Sequence, residues 1–225
     1  MTGGGPTHYT IYGAQAERRL YYMKEQFEGI YANNEWQYGS GTGSRPVNTR
    51  RYMRMLQRFL RDQKIRSVVD FGCGDWQFSQ FIKWYGIDYL GLDIVPFVIE
   101  RNEKLFSSDN VRFRVFSGNF DDVPPADLLI VKDVLQHWSN ASILAFLPVL
   151  ERFRFSLITN DVNPRGITEN SDIADGDCRD LDLRMPPFNL TAEQVLSYTN
   201  RRALLPWPFK RLYWRKRVLL IRNGS

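Results

Sequence analysis

Two cysteines and two histidines are few for a chain of 225 residues, and both shortages are informative. Cys73 and Cys178 stand far apart, with neither metal-site spacing nor the density of a disulfide scaffold. A reducing, cytoplasmic location is therefore expected. No apolar run approaches the roughly 20 residues that cross a bilayer. No apolar signal segment stands near the N-terminus, and there is no internal repeat or long low-complexity tract. Charge, by contrast, is plentiful and tilted: 30 Lys and Arg against 25 Asp and Glu give a net +5 and a pI near 9.2. The apolar fraction of 43% is enough for one full core, so the length reads as one domain.

The most telling stretch runs from Val68 to Trp76, Val-Val-Asp-Phe-Gly-Cys-Gly-Asp-Trp. A short apolar strand ends on Asp70, and Gly72 and Gly74 then allow a tight turn in which backbone can pass close to a ligand. Such a turn at the carboxyl end of a first parallel strand is where α/β sheets hold nucleotide cofactors. No third glycine follows three residues after Gly74, and no Gly-Lys-Ser/Thr ending is present, which excludes the dinucleotide and phosphate-loop patterns. The turn closes on Asp75 and Trp76, and acids beside it suit a cationic ligand without phosphate. A second strand ends at Asp93-Ile94, 23 residues beyond Asp70. At that interval a carboxylate can accept both hydroxyls of a ribose.

Strands and helices alternate beyond this point. Strands are expected at 67–71, 89–94, 111–117, 128–132 and 155–159, with helices at 76–85, 97–106 and 140–153. Repeated βα units imply a parallel sheet with helices on both faces. Upstream, Tyr52, Met55, Leu56 and Phe59 recur at helical spacing, so a helix capped by Asn48 or Thr49 is expected through about Asp62. Residues 211–214 and 218–221, joined through Arg215-Lys216-Arg217, read as a terminal antiparallel hairpin. Residues 1–47 form a separate segment, expected to act as a lid: a glycine-rich start, an amphipathic helix at about 14–31, then Trp36 and a glycine-rich stretch at 39–44. The remainder, 48–225, reads as the catalytic domain.

In these motifs the chain resembles the class I S-adenosylmethionine (SAM) methyltransferases, over about residues 50–222. The resemblance implies a Rossmann-like α/β fold, a mainly parallel seven-stranded sheet finished by an antiparallel hairpin. It also implies SAM as cofactor and S-adenosylhomocysteine (SAH) as product. By position, Asp70, Gly72, Cys73, Gly74 and Trp76 would hold the methionine end, and Asp93 with Ile94 the ribose. Asn119 and Phe120 would meet the adenine, and Lys132 would close the site after the fourth strand. More narrowly, the chain is similar to compact bacterial methyltransferases of glycans and small metabolites. Trp36 with 39–44, 72–76, Lys132-Asp133-Val134 with His137, 170–173 and 183–189 carry that likeness.

Donor and acceptor meet after the fourth strand in this fold. His137 and Asp133 are the expected catalytic residues there, with His137 as general base for an acceptor hydroxyl. A histidine that merely caps the next helix would look identical in sequence. Asp133, Asn160 and Asp161 raise a second reading, a Mg²⁺ site of hard oxygen ligands like that of catechol O-methyltransferase, but with its Asp-Asn pair reversed. No metal is favoured. The insertion 161–198 is expected to wall the acceptor pocket. Basic residues cluster at 45–66 and 201–217. They could serve an anionic small-molecule or glycan acceptor, although the spacing of Arg50, Arg54, Arg58 and Arg61 fits a solvated helix face. Methylation of a hydroxyl is the leading reading and of an amine an open one. An RNA or protein methyltransferase, or a silent SAM-binding partner subunit, are the alternatives. The sequence does not name the acceptor or the oligomeric state.

Overall fold

The computed structural model describes residues 22–36, 38–203 and 212–223. The expected helix at 14–31 is seen as helical residues 22–32 (α1); its first turns, His8 and the glycine-rich start lie outside the described residues. Next comes α2 at Pro46–Asp62, which starts where Pro46 can stand at N1 without a lost hydrogen bond. Neither Asn48 nor Thr49 caps it. The Asn48 amide donates to the Thr42 carbonyl at 2.7 Å, and Thr49 Oγ1 donates back to the Arg45 carbonyl at 3.0 Å. Tyr52, Leu56 and Leu60 are buried on one face of α2, while Arg50, Arg54, Arg58 and Arg61 are exposed on the other.

The remaining elements are β1 (Ser67–Phe71), β2 (Asp88–Asp93), α3 (Pro96–Phe106), β3 (Val111–Val115), β4 (Ala126–Lys132), α4 (Asn140–Phe146), β5 (Phe153–Val162), β6 (Glu193–Ala203) and β7 (Leu212–Arg222). They form one seven-stranded sheet in the order β3-β2-β1-β4-β5-β7-β6. The first five strands are parallel, and β7 enters antiparallel between β5 and β6. The order reverses between β1 and β4, and the crevice at their carboxyl ends is where open α/β sheets bind ligands.

Side-chain alternation divides the core between the two sheet faces. Val68, Leu128, Ile130, Leu157, Val218 and Leu220 pack with α2, and Ile99 of α3 joins the same cluster. Val69, Phe71, Leu129, Val131, Ile158, Leu219 and Ile221 pack with α4 and the turns that follow it. Side chains covered this completely contribute about 1.5–3 kcal/mol each to folding.

Three expected elements differ. The helix expected at 140–153 is α-helical only over Asn140–Phe146 and continues as a 3₁₀ helix over Leu147–Arg152. Residues 76–85 make only a single 3₁₀ turn, Ser79–Phe81, because Trp76 has a left-handed backbone (φ 57°) and starts no helix. Its apolar residues Trp76, Phe78, Ile82 and Trp84 are buried in the α2 face instead of lining one helical stripe. The terminal hairpin exists, but its arms are β6 and β7. Arg215-Lys216-Arg217 is therefore the middle of a strand and not a turn, and 204–211 lie outside the described residues. Among the described residues no helix is long and apolar enough to cross a membrane.

Candidate active site

The carboxyl ends of β1, β2, β3 and β4 surround a cavity of about 430 Å³, within the about 300–1,000 Å³ of small-molecule sites. Every expected site residue lines it except Trp76: Asp70, Gly72, Cys73, Gly74, Asp93, Ile94, Asn119, Phe120, Lys132, Asp133 and His137.

The turn after β1 is built on left-handed backbone. Gly72 (φ 73°) and Gly74 (φ 56°) both adopt it, and the amides of Gly72 and Cys73 donate to the Leu92 carbonyl at 2.8 and 3.0 Å. A methyl group on Gly72 would fall 2.3 Å from a Val134 methyl, and one on Gly74 would fall 2.3 Å from Ser40 Oγ. Those crowding atoms belong to the loop after β4 and to the segment before α2, so the turn is clasped from both sides.

Each acid is held differently. Asp93 accepts from the Gly74 amide at 2.9 Å on one oxygen and from the Val95 amide at 3.1 Å on the other. Each oxygen keeps lone-pair capacity beyond those bonds, and burial raises the carboxyl above the usual carboxylate range. Asp70 accepts from the Tyr89 hydroxyl at 2.7 Å, and that hydroxyl accepts from the Trp76 indole N–H at 2.8 Å. Trp76 therefore acts one step behind the cavity, packed against Phe106 and Phe113. Burial pushes Asp70 up to about 6, against the lowering pull of the Tyr89 bond and the Lys132 charge. Two carboxylates, the Lys132 ammonium and an apolar end suit a ligand with an amino-acid head, a diol and a flat base. The residues present fit SAM.

At that apolar end Phe120 stacks on Phe116, ring centres 5.7 Å apart, and is 6.0 Å from the Trp138 ring. Asn119 accepts from the Asp121 amide at 2.9 Å and so caps the turn Phe120–Asp122, while still lining the cavity. Cys73 is a small side chain beside Gly91, with a thiol that burial pushes up and leaves unreactive.

The side of the cavity next to His137 is roofed by residues from α1 and the stretch before α2. Met23, Phe27 and Tyr31 from α1, then Trp36, Ser40 and Ser44, all line the cavity. Ser40 Oγ accepts from the Asp75 amide at 2.9 Å and bonds the Tyr31 hydroxyl at 2.6 Å. The Gly43 carbonyl accepts from Lys132 Nζ at 3.1 Å. His137 lies 5.2 Å from the Trp36 ring and 6.3 Å from Phe27, centre to centre. Its Nδ1 is 2.9 Å from the Asp177 carbonyl, which can only accept. Nδ1 therefore carries the proton, and neutral Nε2 is the acceptor. Burial lowers His137 below the ordinary histidine range, which keeps it neutral near pH 7.

The insertion does not wall the cavity. It packs behind the His137 loop, where Asp175 accepts from the Ser139 amide and Asp172 from the Asn140 amide, both at 2.7 Å. The Gly176 amide donates to the His137 carbonyl at 2.7 Å, and Arg179 donates to the Trp138 carbonyl at 2.8 Å.

The oxygen cluster considered for Mg²⁺ is already filled. Lys216 Nζ stands 2.8 Å from Asp133 Oδ1 and 2.9 Å from Asp161 Oδ1, and Lys132 Nζ takes Asp133 Oδ2 at 2.5 Å. Burial opposes the charge on Asp133, but the two ammoniums outweigh it and hold its carboxyl well below the usual range. Neither Asp133 nor Asp161 lies open to a divalent ion, so the residues present do not fit one. Asn160 is buried and does not line the cavity. Asp133 is equally unsuited to take a proton. Lys216, read as part of a basic surface run, is only 2% exposed. Sequence reasoning also passed over Tyr89 and Gln136.

Residues 20–154 match the family model of the O-methyltransferase domain. No curated protein sequence matches the chain. Among solved structures, the N-terminal domain of EvdMO1, determined in the presence of SAH and D-fucose, aligns with a TM-score of 0.54 at 13% identity, covering 76% of this chain and 82% of that one. Magnesium protoporphyrin IX methyltransferase from Synechocystis PCC 6803 with bound SAH aligns at 0.52 and 16% identity, covering 79% and 84%. At such identities these two show the fold alone. With the matched domain covering more than half of its length, the chain belongs to the O-methyltransferase domain family of class I SAM-dependent methyltransferases.

Proposed function

We propose that this enzyme methylates a hydroxyl of a small-molecule acceptor, with His137 as the general base. The observation that carries this reading is the fixed tautomer of His137, whose Nδ1 proton is committed to the Asp177 carbonyl at 2.9 Å. When bound, SAM supplies a methyl already activated on its sulfonium. The chain's own part is to hold the two reactants, exclude water and take up one proton. Asp70, Gly72 and Gly74 would face the methionine end, Asp93 the ribose, and Asn119 with Phe120 the adenine. The acceptor hydroxyl would lie under Trp36 and Phe27 and give its proton to Nε2. Gln136 Nε2 sits 3.4 Å from that nitrogen, a long contact that an entering hydroxyl can displace. Residues 1–47 would act as a lid over a catalytic domain of 48–225, since α1 together with Trp36, Ser40 and Ser44 lines the cavity.

The test is methyl transfer from labelled SAM across a panel of hydroxylated and amine small molecules, wild type beside His137→Ala. A loss of about 10²–10⁴-fold in turnover on hydroxyl acceptors, with SAH affinity kept, is the expected result. A fully active His137→Ala protein, or transfer to amines alone, would overturn the base assignment.

A further inference from the structure

The side chains that fail to fit a metal point to something in its place. On β7, Lys216 stands directly across from Asp161 of β5 in the antiparallel register. Strand alternation turns it inward between the exposed Arg215 and the half-buried Arg217. Its ammonium reaches Asp161 at 2.9 Å and, through the end of β4, Asp133 at 2.8 Å. Asp133 has a left-handed backbone (φ 61°), which a non-glycine residue adopts only when its surroundings hold it there. Asp161 passes the arrangement on: its Oδ2 accepts from Gln136 Nε2 at 3.2 Å, and its amide donates to Gln136 Oε1 at 2.7 Å. Gln136 is the neighbour of His137 Nε2. One buried cation thus ties together a cavity-lining carboxylate, the end of β5 and the side chain beside the imidazole.

We propose that Lys216 is a built-in cation that positions the acceptor end of the site, occupying the place between Asp133 and Asp161 that a divalent ion would otherwise take. It touches no reactant and acts through Asp133 and through Asp161 and Gln136. Without it Asp161 would have no ammonium and Asp133 only Lys132, two buried carboxylates against one cation, and the surplus buried charge would recruit another cation. The idea rests on the methyl-transfer reading only for its activity readout; cation binding tests it separately.

The experiment is a Mn²⁺ titration followed by electron paramagnetic resonance and thermal melting, on wild type, Lys216→Ala, Lys216→Gln and Lys216→Arg. Wild type and Lys216→Arg should bind no Mn²⁺ saturably, and wild-type turnover should survive EDTA. Lys216→Ala should gain one Mn²⁺ site with a Kd on the order of 10⁻⁴–10⁻³ M, the weak end of carboxylate sites. Its melting temperature and turnover should recover as Mn²⁺ is added, a rescue that a merely space-filling lysine would not show. If Lys216→Ala does not fold, Lys216→Gln carries the same titration, and failure of both beside a folded Lys216→Arg would uphold the need for charge. Folded neutral variants indifferent to Mn²⁺, or a wild type that binds the ion as well as they do, would overturn the proposal. Lost SAM binding in wild type would sink the methyl-transfer reading and leave the cation result standing.

Discussion

Replacing Asp93 by alanine is the most direct probe of the cofactor reading, because the structure says what is lost on each side of the equilibrium. In the unliganded protein the carboxylate holds the amides of Gly74 and Val95, so the variant leaves two backbone donors without that partner. Toward the ligand it removes an acceptor suited to two hydroxyls at once. Charge-assisted hydrogen bonds of this kind are worth about 1.5–3 kcal/mol in all once solvent competition is included. SAH should therefore bind about 10- to 150-fold more weakly to Asp93→Ala. Calorimetry with SAH gives the affinity, and circular dichroism with thermal melting confirms the fold. Asp93→Asn separates the two losses: it keeps an acceptor for one amide and the shape of the side chain, so it should fall between wild type and alanine. An unchanged SAH affinity in a folded Asp93→Ala protein would refute the ribose assignment, and with it the orientation given to every other group in the cavity.

Asp70, raised to about 6 by burial, has a folded-state pKa above its unfolded one, so the unliganded protein should lose stability as pH rises from about 4 through about 6, and Asp70→Asn should flatten that slope. If Asp70 in its ionised form receives the ammonium of the cofactor, SAH affinity should fall as pH drops through about 6; calorimetry at pH 5 and pH 7.5 showing equal affinities would exclude that contact. Because burial lowers His137, turnover at saturating SAM should hold its plateau below the ordinary histidine range before an acid limb appears, and a limb at or above pH 7 would argue against this base. A chain beginning at Arg45 should keep the sheet, as judged by circular dichroism, and lose turnover, since Phe27, Trp36 and Ser40 are gone; full activity after truncation would end the lid reading.

What could be read from the sequence was whatever is local. The Asp70-to-Trp76 turn, the acid at Asp93 and the βα rhythm each depend on residues within a few positions of one another, and the structure has β1, β2 and the glycine turn where those signals stand. Elements failed where tertiary packing overrode local pattern. Residues 76–85 carry enough apolar spacing for a helix, yet Trp76 is drawn into the core by Tyr89, Phe106 and Phe113, and its left-handed backbone leaves only one 3₁₀ turn. The basic triplet at 215–217 resembled a turn because its charges mask the alternation of a strand. Only the pairing of β7 with β5 shows that Lys216 points inward.

The same distinction explains the site. The cavity residues the sequence pointed to follow strand ends, and strand ends are legible. The groups that orient them come from far along the chain: Lys216 is 83 residues from Asp133, Asp177 is 40 from His137, and Ser40 is 35 from Asp75. No spacing rule connects such partners; they meet only because β7 inserts beside β5, the insertion folds behind α4 and the N-terminal segment crosses the mouth. That is also why Asp133 was open to a metal or catalytic reading from sequence, while in the fold two ammoniums occupy the oxygens that a metal or a proton would take. A carboxylate beside a nucleotide crevice is a candidate ligand or base until its counter-charges are located. Here both of its oxygens are held by ammoniums, Lys132 from the same strand end and Lys216 from across the sheet. The proposed base is then His137, the one described histidine, whose burial and single committed proton leave it neutral and able to accept.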